Sequence, residues 1–219
     1  MTGALTELNL WKQQLGTVPE SVWDEVSVET LILADNALQS LSGRIARLVR
    51  LRTLDLGHNR LSEIPEALGE LVQLDRFLYL HDNRLTTLPS SLAGLTRLRY
   101  LNLSENAMTH WPEAVTGMAG LIELRVTDNQ LRELPSSIEG LTGLRELHLR
   151  NNRLATVPEP IGRLSELRQL DLRGNPLTDL PAALALLPRL DKLDLRWTPT
   201  LPELPWLAEL EARGCAIYR

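Results

Sequence analysis

LRTLDLGHNRL at 51–61 returns, with substitutions, as LRYLNLSENAM (98–108), LIELRVTDNQL (121–131), LRELHLRNNRL (144–154) and LRQLDLRGNPL (167–177). The asparagine of this string falls at Asn36, Asn59, Asn83, Asn106, Asn129, Asn152 and Asn175, at steps of 23, 24, 23, 23, 23 and 23. One step back from Asn36 reaches Gln13 in LTELNLWKQQL, and one step forward from Asn175 reaches Thr198 in LDKLDLRWTPT. LAELEARGCAI (207–217) reads as a tenth, shortened copy with Cys215 in the Asn slot. A fixed period of this size marks an array of stacked units.

Elementary chemistry says what each unit builds. The L-x-L alternation makes a short strand with leucines on one face and polar residues on the other. One strand and a turn cannot bury their leucines alone, so neighbouring copies stack and share a core. Equivalent strands then pair in parallel, and ten of them at ~4.8 Å spacing give a sheet on the order of 45 Å long. An Asn amide at each turn can satisfy backbone donors and acceptors of the neighbouring coil, a role that Thr or Cys fills only partly. Pro19, Pro65, Pro89, Pro112, Pro135, Pro158 and Pro181 recur six residues after the slot, where proline stops a further strand and favours a tight return. Ser42 interrupts that series in the second repeat.

Composition agrees. The 219 residues include 50 leucines and a single phenylalanine, the monotony of one packing unit used many times. A net charge of −5 and 23% charged residues argue against disorder and against nucleic acid as the main partner. No apolar run approaches the ~18 residues needed to span a bilayer. MTGALTELNLWKQ lacks a basic segment followed by an apolar stretch, and one cysteine excludes an internal disulfide. These features set a cytoplasmic address as the expectation, with export as the alternative.

The pattern L-x-x-L-x-L-x-x-N-x-L followed by x-x-L-P-x-x-[LVI]-x-x-L, as in LPSSLAGL and LPSSIEGL, resembles the leucine-rich repeat family over essentially the whole chain. The 23-residue length and the Leu-Pro step look most like the intracellular Ras-group type and its bacterial relatives. The resemblance implies an α/β fold, a single domain over 1–219: a curved solenoid with a ten-strand parallel sheet on its concave face and short helical or irregular turns on its convex face. It also implies protein binding as the role, with a small GTPase or signalling protein as partner by analogy.

Chemistry of its own is not expected. The only lysines, Lys12 and Lys192, lack the glycine context of a phosphate loop, and no two glycines stand two apart. The four histidines form no metal-ligand spacing, and His58 with His81 lacks a third ligand. Cys215 has no evident base and reads as a structural thiol. No enzyme, no cofactor and no metal is the expectation.

A partner would meet the variable outward residues, six, four and two before each slot. There the one Phe and two of the three Tyr gather as Phe77, Tyr79 and Tyr100, beside His81. Central aromatic patches anchor protein interfaces. The competing readings are rings that tile one another for stability, and a Phe77 turned inward at a bulge made by the 24-residue step. Farther along, Arg150, Arg173 and Arg196 stack in register, flanked by Arg125, His148 and Trp197. Their forks suit an acidic partner, or are neutralised within the sheet by Glu123, Glu146, Asp171 and Asp194. At the ends, Trp11 and Trp23 are candidates to cover the N-terminal edge, and Trp206, Ile217 and Tyr218 to close the other.

The reading is therefore a non-catalytic module that binds a protein through the concave face and acts as a monomer, with an edge-mediated dimer as the alternative. An effector or adaptor acting on a host or signalling protein is the rival role.

Overall fold

A computed structural model describes residues 6–219. Ten three-residue strands, β1 (Glu7–Asn9), β2 (Thr30–Ile32), β3 (Thr53–Asp55), β4 (Phe77–Tyr79), β5 (Tyr100–Asn102), β6 (Glu123–Arg125), β7 (Glu146–His148), β8 (Gln169–Asp171), β9 (Lys192–Asp194) and β10 (Ala216–Tyr218), pair in parallel in sequence order. The sheet is open and uncurled, with β1 and β10 as its two edges. The register follows the repeat: Leu31 pairs with Leu54, Leu54 with Leu78, Leu78 with Leu101, and so on to Leu193 with Ile217. These central residues point inward, and their neighbours in each strand point outward.

Between β1 and β9 each coil returns behind the sheet through a five-residue 3-10 turn, from Glu20–Asp24 to Ala182–Leu186. Proline precedes seven of the eight such turns among the described residues, with φ near its fixed value. In the second repeat Ser42 takes that place, and its hydroxyl accepts a hydrogen bond from the Arg44 N–H at 3.2 Å. A Ser N-cap thus does by side chain what proline does by ring geometry.

The core is one continuous column from Val22 to Cys215, made almost wholly of repeat leucines. Burying each one contributes roughly 1.5–3 kcal/mol against its exposed state. The asparagines run alongside as a ladder. The Asn36 Nδ2 donates to the carbonyls of Leu10, Leu33 and Ala34, and its Oδ1 accepts from the N–H groups of Gln13 and Leu15. Asn59, Asn83, Asn129, Asn152 and Asn175 are likewise buried. The Thr198 hydroxyl, in the same slot, donates to the Leu195 carbonyl at 2.6 Å, its one side-chain bond among the described residues.

Three expectations change. The extra residue of the fourth repeat does not make a bulge at Phe77: β4 pairs in register with β3 and β5, and Phe77 is 41% exposed. It is absorbed between Leu74 and the strand, where the Arg52 guanidinium grips Asp75 through Nε–Oδ1 (2.9 Å) and Nη2–Oδ2 (2.8 Å). Second, LAELEARGCAI is not a shortened copy with Cys215 in the Asn slot. Leu207–Ala212 is an α-helix, α1, that replaces the 3-10 return of the preceding coil, and the tenth strand begins at Ala216. Leu207 and Leu210, three apart, both bury one face of that helix. Third, of the two tryptophans expected to cover the N-terminal edge, Trp11 stands 56% exposed on the outer face, whereas Trp23, in the first 3-10 turn, is 1% exposed and belongs to the core.

Candidate functional site

Because strand residues alternate, two outward positions per repeat face solvent, and the residue that follows each strand by two adds a third. On this face Phe77, Tyr79 and Tyr100 come into mutual contact. Phe77 stacks on Tyr79 at a centroid distance of 5.9 Å and 12° between planes, and Tyr100 packs on both, at 5.6 and 5.1 Å. Tyr79 meets the edge of His81 at 6.0 Å, and His81 meets His58 at 4.7 Å. Gly57 makes this arrangement possible: a Cβ there would lie 2.3 Å from the His81 ring. Partial burial raises the hydroxyl pKa values of Tyr79 and Tyr100, so both stay protonated donors.

His58 and His81 face each other through Nε2 at 3.3 Å, and His58 Nδ1 lies 2.7 Å from Asp82 Oδ2. Burial first, and then the neighbouring His58, lower the pKa of His81.

From Tyr100 toward the C-terminus the face turns charged, and the charges pair within the sheet. Arg173 forks onto Asp171 (Nε–Oδ1 2.9 Å, Nη2–Oδ2 2.6 Å) and Arg196 onto Asp194 (3.0 and 2.7 Å). Arg150 Nη2 contacts Asp128 Oδ2 at 3.0 Å, and Arg125 Nε contacts Glu123 Oε1 at 2.5 Å. Burial opposes the charge on Asp194, but the hydrogen bonds from Arg196 and the nearby Arg173 outweigh it, and its pKa is lowered. His148 lies between Glu146 (3.3 Å) and Glu123 (3.8 Å), where burial and Arg125 lower its pKa. A depression of about 230 Å³ joins the aromatic and charged halves, walled by His81, Asn102, Arg125, His148, Arg150 and Arg173 among others. Two buried nitrogens on its walls, His81 Nδ1 and Arg150 Nε, have no hydrogen-bond partner among the described residues.

Trp197 lies apart, 67% exposed, with its backbone in the left-handed region at φ 58° and its ring 5.8 Å from the Arg196 guanidinium. The same slot-minus-one position is left-handed throughout, as at Asp35, His58, Asp82, Asp128 and Asn151. Short polar residues tolerate that conformation, and a bulky aromatic does so at a cost. Sequence reasoning missed two participants, Asp82 behind His58 and Asp128 under Arg150. Both occupy slot-minus-one positions outside the outward columns, and only the left-handed turn brings them to the face.

A family model described as leucine rich repeat matches residues 3–61, 26–85 and 142–199, and a two-copy model of the same repeat matches 76–113. Among curated proteins, the volume-regulated anion channel subunit LRRC8A of human, mouse and rat is 35% identical over 98 residues, 44% of this chain. That stretch spans only 12% of the channel subunit's length. Among solved structures, a plant peptide hormone receptor, RGFR1 in complex with RGF2, is 29% identical with a TM-score of 0.75, over 91% of this chain and 35% of the receptor. A leucine-rich repeat protein of Leptospira interrogans is 24% identical with a TM-score of 0.74, over 95% of this chain and 64% of its own. An internalin from Listeria monocytogenes is 21% identical at 0.76, over 92% of this chain and 57% of its own; at these identities the last two speak for the fold alone. With its repeats matched over more than half its length and its ten parallel strands in sequence order, this chain belongs to the leucine-rich repeat family.

Proposed function

We propose that this chain is a non-catalytic recognition module that binds a protein partner across its outer strand face, with Phe77, Tyr79 and Tyr100 as anchors. The observation that carries this reading is the ring cluster, which gathers the chain's one Phe and two of its three Tyr on adjacent strands, partly exposed and in mutual contact. Such rings supply large contact area with few rotatable bonds, and a pre-formed sheet has little conformational freedom left to lose on association. The family and its fold serve typically as interaction modules, and a structural neighbour, the receptor RGFR1, is solved in complex with RGF2.

The arginine rows take a secondary part. Arg173 and Arg196 spend both arms of their forks on Asp171 and Asp194, so an acidic partner must compete with bonds already made. Arg125, His148, Arg150 and the exposed Trp197 set orientation around the aromatic centre. Cytoplasmic action fits the single, buried Cys215, whose pKa burial raises. An effector or adaptor acting on a host or signalling protein would use the same face, and a secretion assay separates the two addresses.

Single substitutions test the anchors. Phe77→Ala, Tyr79→Ala and Tyr100→Ala each weaken partner binding by roughly 1–3 kcal/mol while costing under about 1.5 kcal/mol of folding stability. Variants that unfold, or that bind as wild type does, contradict the assignment.

A further inference from the structure

Glu123 and Glu146 stand directly opposite each other in the register of β6 and β7, both on the outer face. Like charges so placed across neighbouring strands repel. The sheet offers them only part of a remedy. Arg125 donates to Glu123, whereas Glu146 has no arginine or lysine partner among the described residues. His148 completes the group, its side chain only 16% exposed and its Nε2 3.3 Å from Glu146 Oε2 and 3.8 Å from Glu123 Oε1. One potential ligand atom from each of the three residues lies within 4.8 Å of the other two. Ligands about 2.0–2.1 Å from a tetrahedral ion are about 3.3 Å apart, so the His148–Glu146 spacing already suits one.

We propose that Glu123, Glu146 and His148 form a binding site for a divalent transition-metal ion of the Zn²⁺ class. An imidazole nitrogen with carboxylate oxygens favours such ions over Mg²⁺ or Ca²⁺, which take oxygen ligands. Arg125 donates to Glu123 Oε1, the same oxygen that lies 3.8 Å from His148 Nε2, and so orients that carboxylate toward the site, the part that outer partners of metal ligands ordinarily play. Three protein ligands leave at least one position open on the outer face, for water or for a carboxylate brought by a partner. Sequence spacing gave no sign of the site, because Glu123 lies one repeat before Glu146 and His148 and only stacking brings it to them. The proposal stands on these three residues alone and does not depend on the aromatic anchors.

The test uses the full chain. Zn²⁺ is titrated by calorimetry into wild type, Glu146→Gln, His148→Gln and a His58→Gln control, with folding checked by circular dichroism. Co²⁺ then serves as a paramagnetic stand-in whose effect on backbone resonances of wild type locates the ion. The expected result is one equivalent of Zn²⁺ bound at micromolar concentration, weakened at least about tenfold by either site variant and unchanged by the control. The Co²⁺ effect should centre on β6 and β7, which decides the matter even where a variant fails to fold. No binding up to millimolar Zn²⁺, equal binding by the folded site variants, or a paramagnetic centre at His58 and His81 or elsewhere overturns the proposal.

Discussion

A single asparagine per coil ties each repeat to its neighbours. The Asn152 Nδ2 donates to the carbonyls of Val126 (2.8 Å), Leu149 (3.0 Å) and Arg150 (3.4 Å), and its Oδ1 accepts from the Leu131 N–H (2.9 Å). All of these but the Nδ2 bond to Arg150 are buried, so Asn152→Ala leaves several backbone groups without partners, each costing roughly 1–3 kcal/mol. Allowing for relaxation, a loss of about 2–4 kcal/mol is expected, read as a lower midpoint in denaturant unfolding. Trp197 makes the opposite case. It occupies a left-handed position and projects into solvent, so Trp197→Asn should leave stability within about 0.5 kcal/mol of wild type or improve it, because Asn tolerates that backbone. If Trp197 also touches the partner, the same variant binds more weakly, and melting and binding measured on one sample separate the two effects. The Asn role was legible in the sequence because an amide repeating at one step has one geometric use. The left-handed backbone at Trp197 was not, since its own residue type argues against it and only the neighbours in register reveal it.

At the scale of the strand, inward and outward residues differ in what they contribute. Leu147→Ala or Leu170→Ala removes a fully buried side chain from the column and should cost ~2–5 kcal/mol by thermal or denaturant melting. The outward rings cost less, because they are half exposed and lose only contacts with one another. Alternation of leucine and polar residues made that division legible in the sequence. Two details were not legible. The extra residue of the fourth repeat could have entered anywhere between Gly69 and Tyr79; it precedes the strand, where Asp75 takes the fork of Arg52 from the neighbouring coil. The last coil misled because LAELEARGCAI carries leucines at a spacing that suits either a repeat or a helix, and α1 uses the helical one. The arginine rows carry a pH prediction. Asp194 has a folded pKa below the ordinary carboxylate value, so its contribution is present above about pH 4 and is lost as pH falls through the lowered folded value. Acid unfolding of Asp194→Asn, followed by circular dichroism, should therefore show a shallower loss of stability below that point than wild type. Equal slopes would mean that the Arg196–Asp194 fork contributes nothing net.

Over the whole molecule, the fold is close to one-dimensional: each coil contacts its neighbours, and function is added by the residues the stacking does not need. That is why the architecture was legible almost in full while the partner was not. Strand order, inward leucines, the asparagine ladder and the proline-led returns all follow from the repeat, whereas the outward columns are free to vary. Among them the concentration of rings and the stacked arginines stood out, and the convergence of Glu123, Glu146 and His148 needed the sheet to exist first. The edge strands are three residues long, and Lys192 and Arg196 lie within 5.5 Å of the Tyr218 ring on the last one. Short edges flanked by charge resist pairing with a second copy. Light scattering at high protein concentration should thus give a monomer mass, and a dimer mass would assign one edge to self-association. The most direct measurement on the central claim is capture from lysate of the source organism, comparing wild type with a folded variant carrying Phe77→Ala, Tyr79→Ala and Tyr100→Ala, read by mass spectrometry. The account predicts a protein retained by wild type and lost by the variant; equal retention by both would contradict the aromatic face as the binding site.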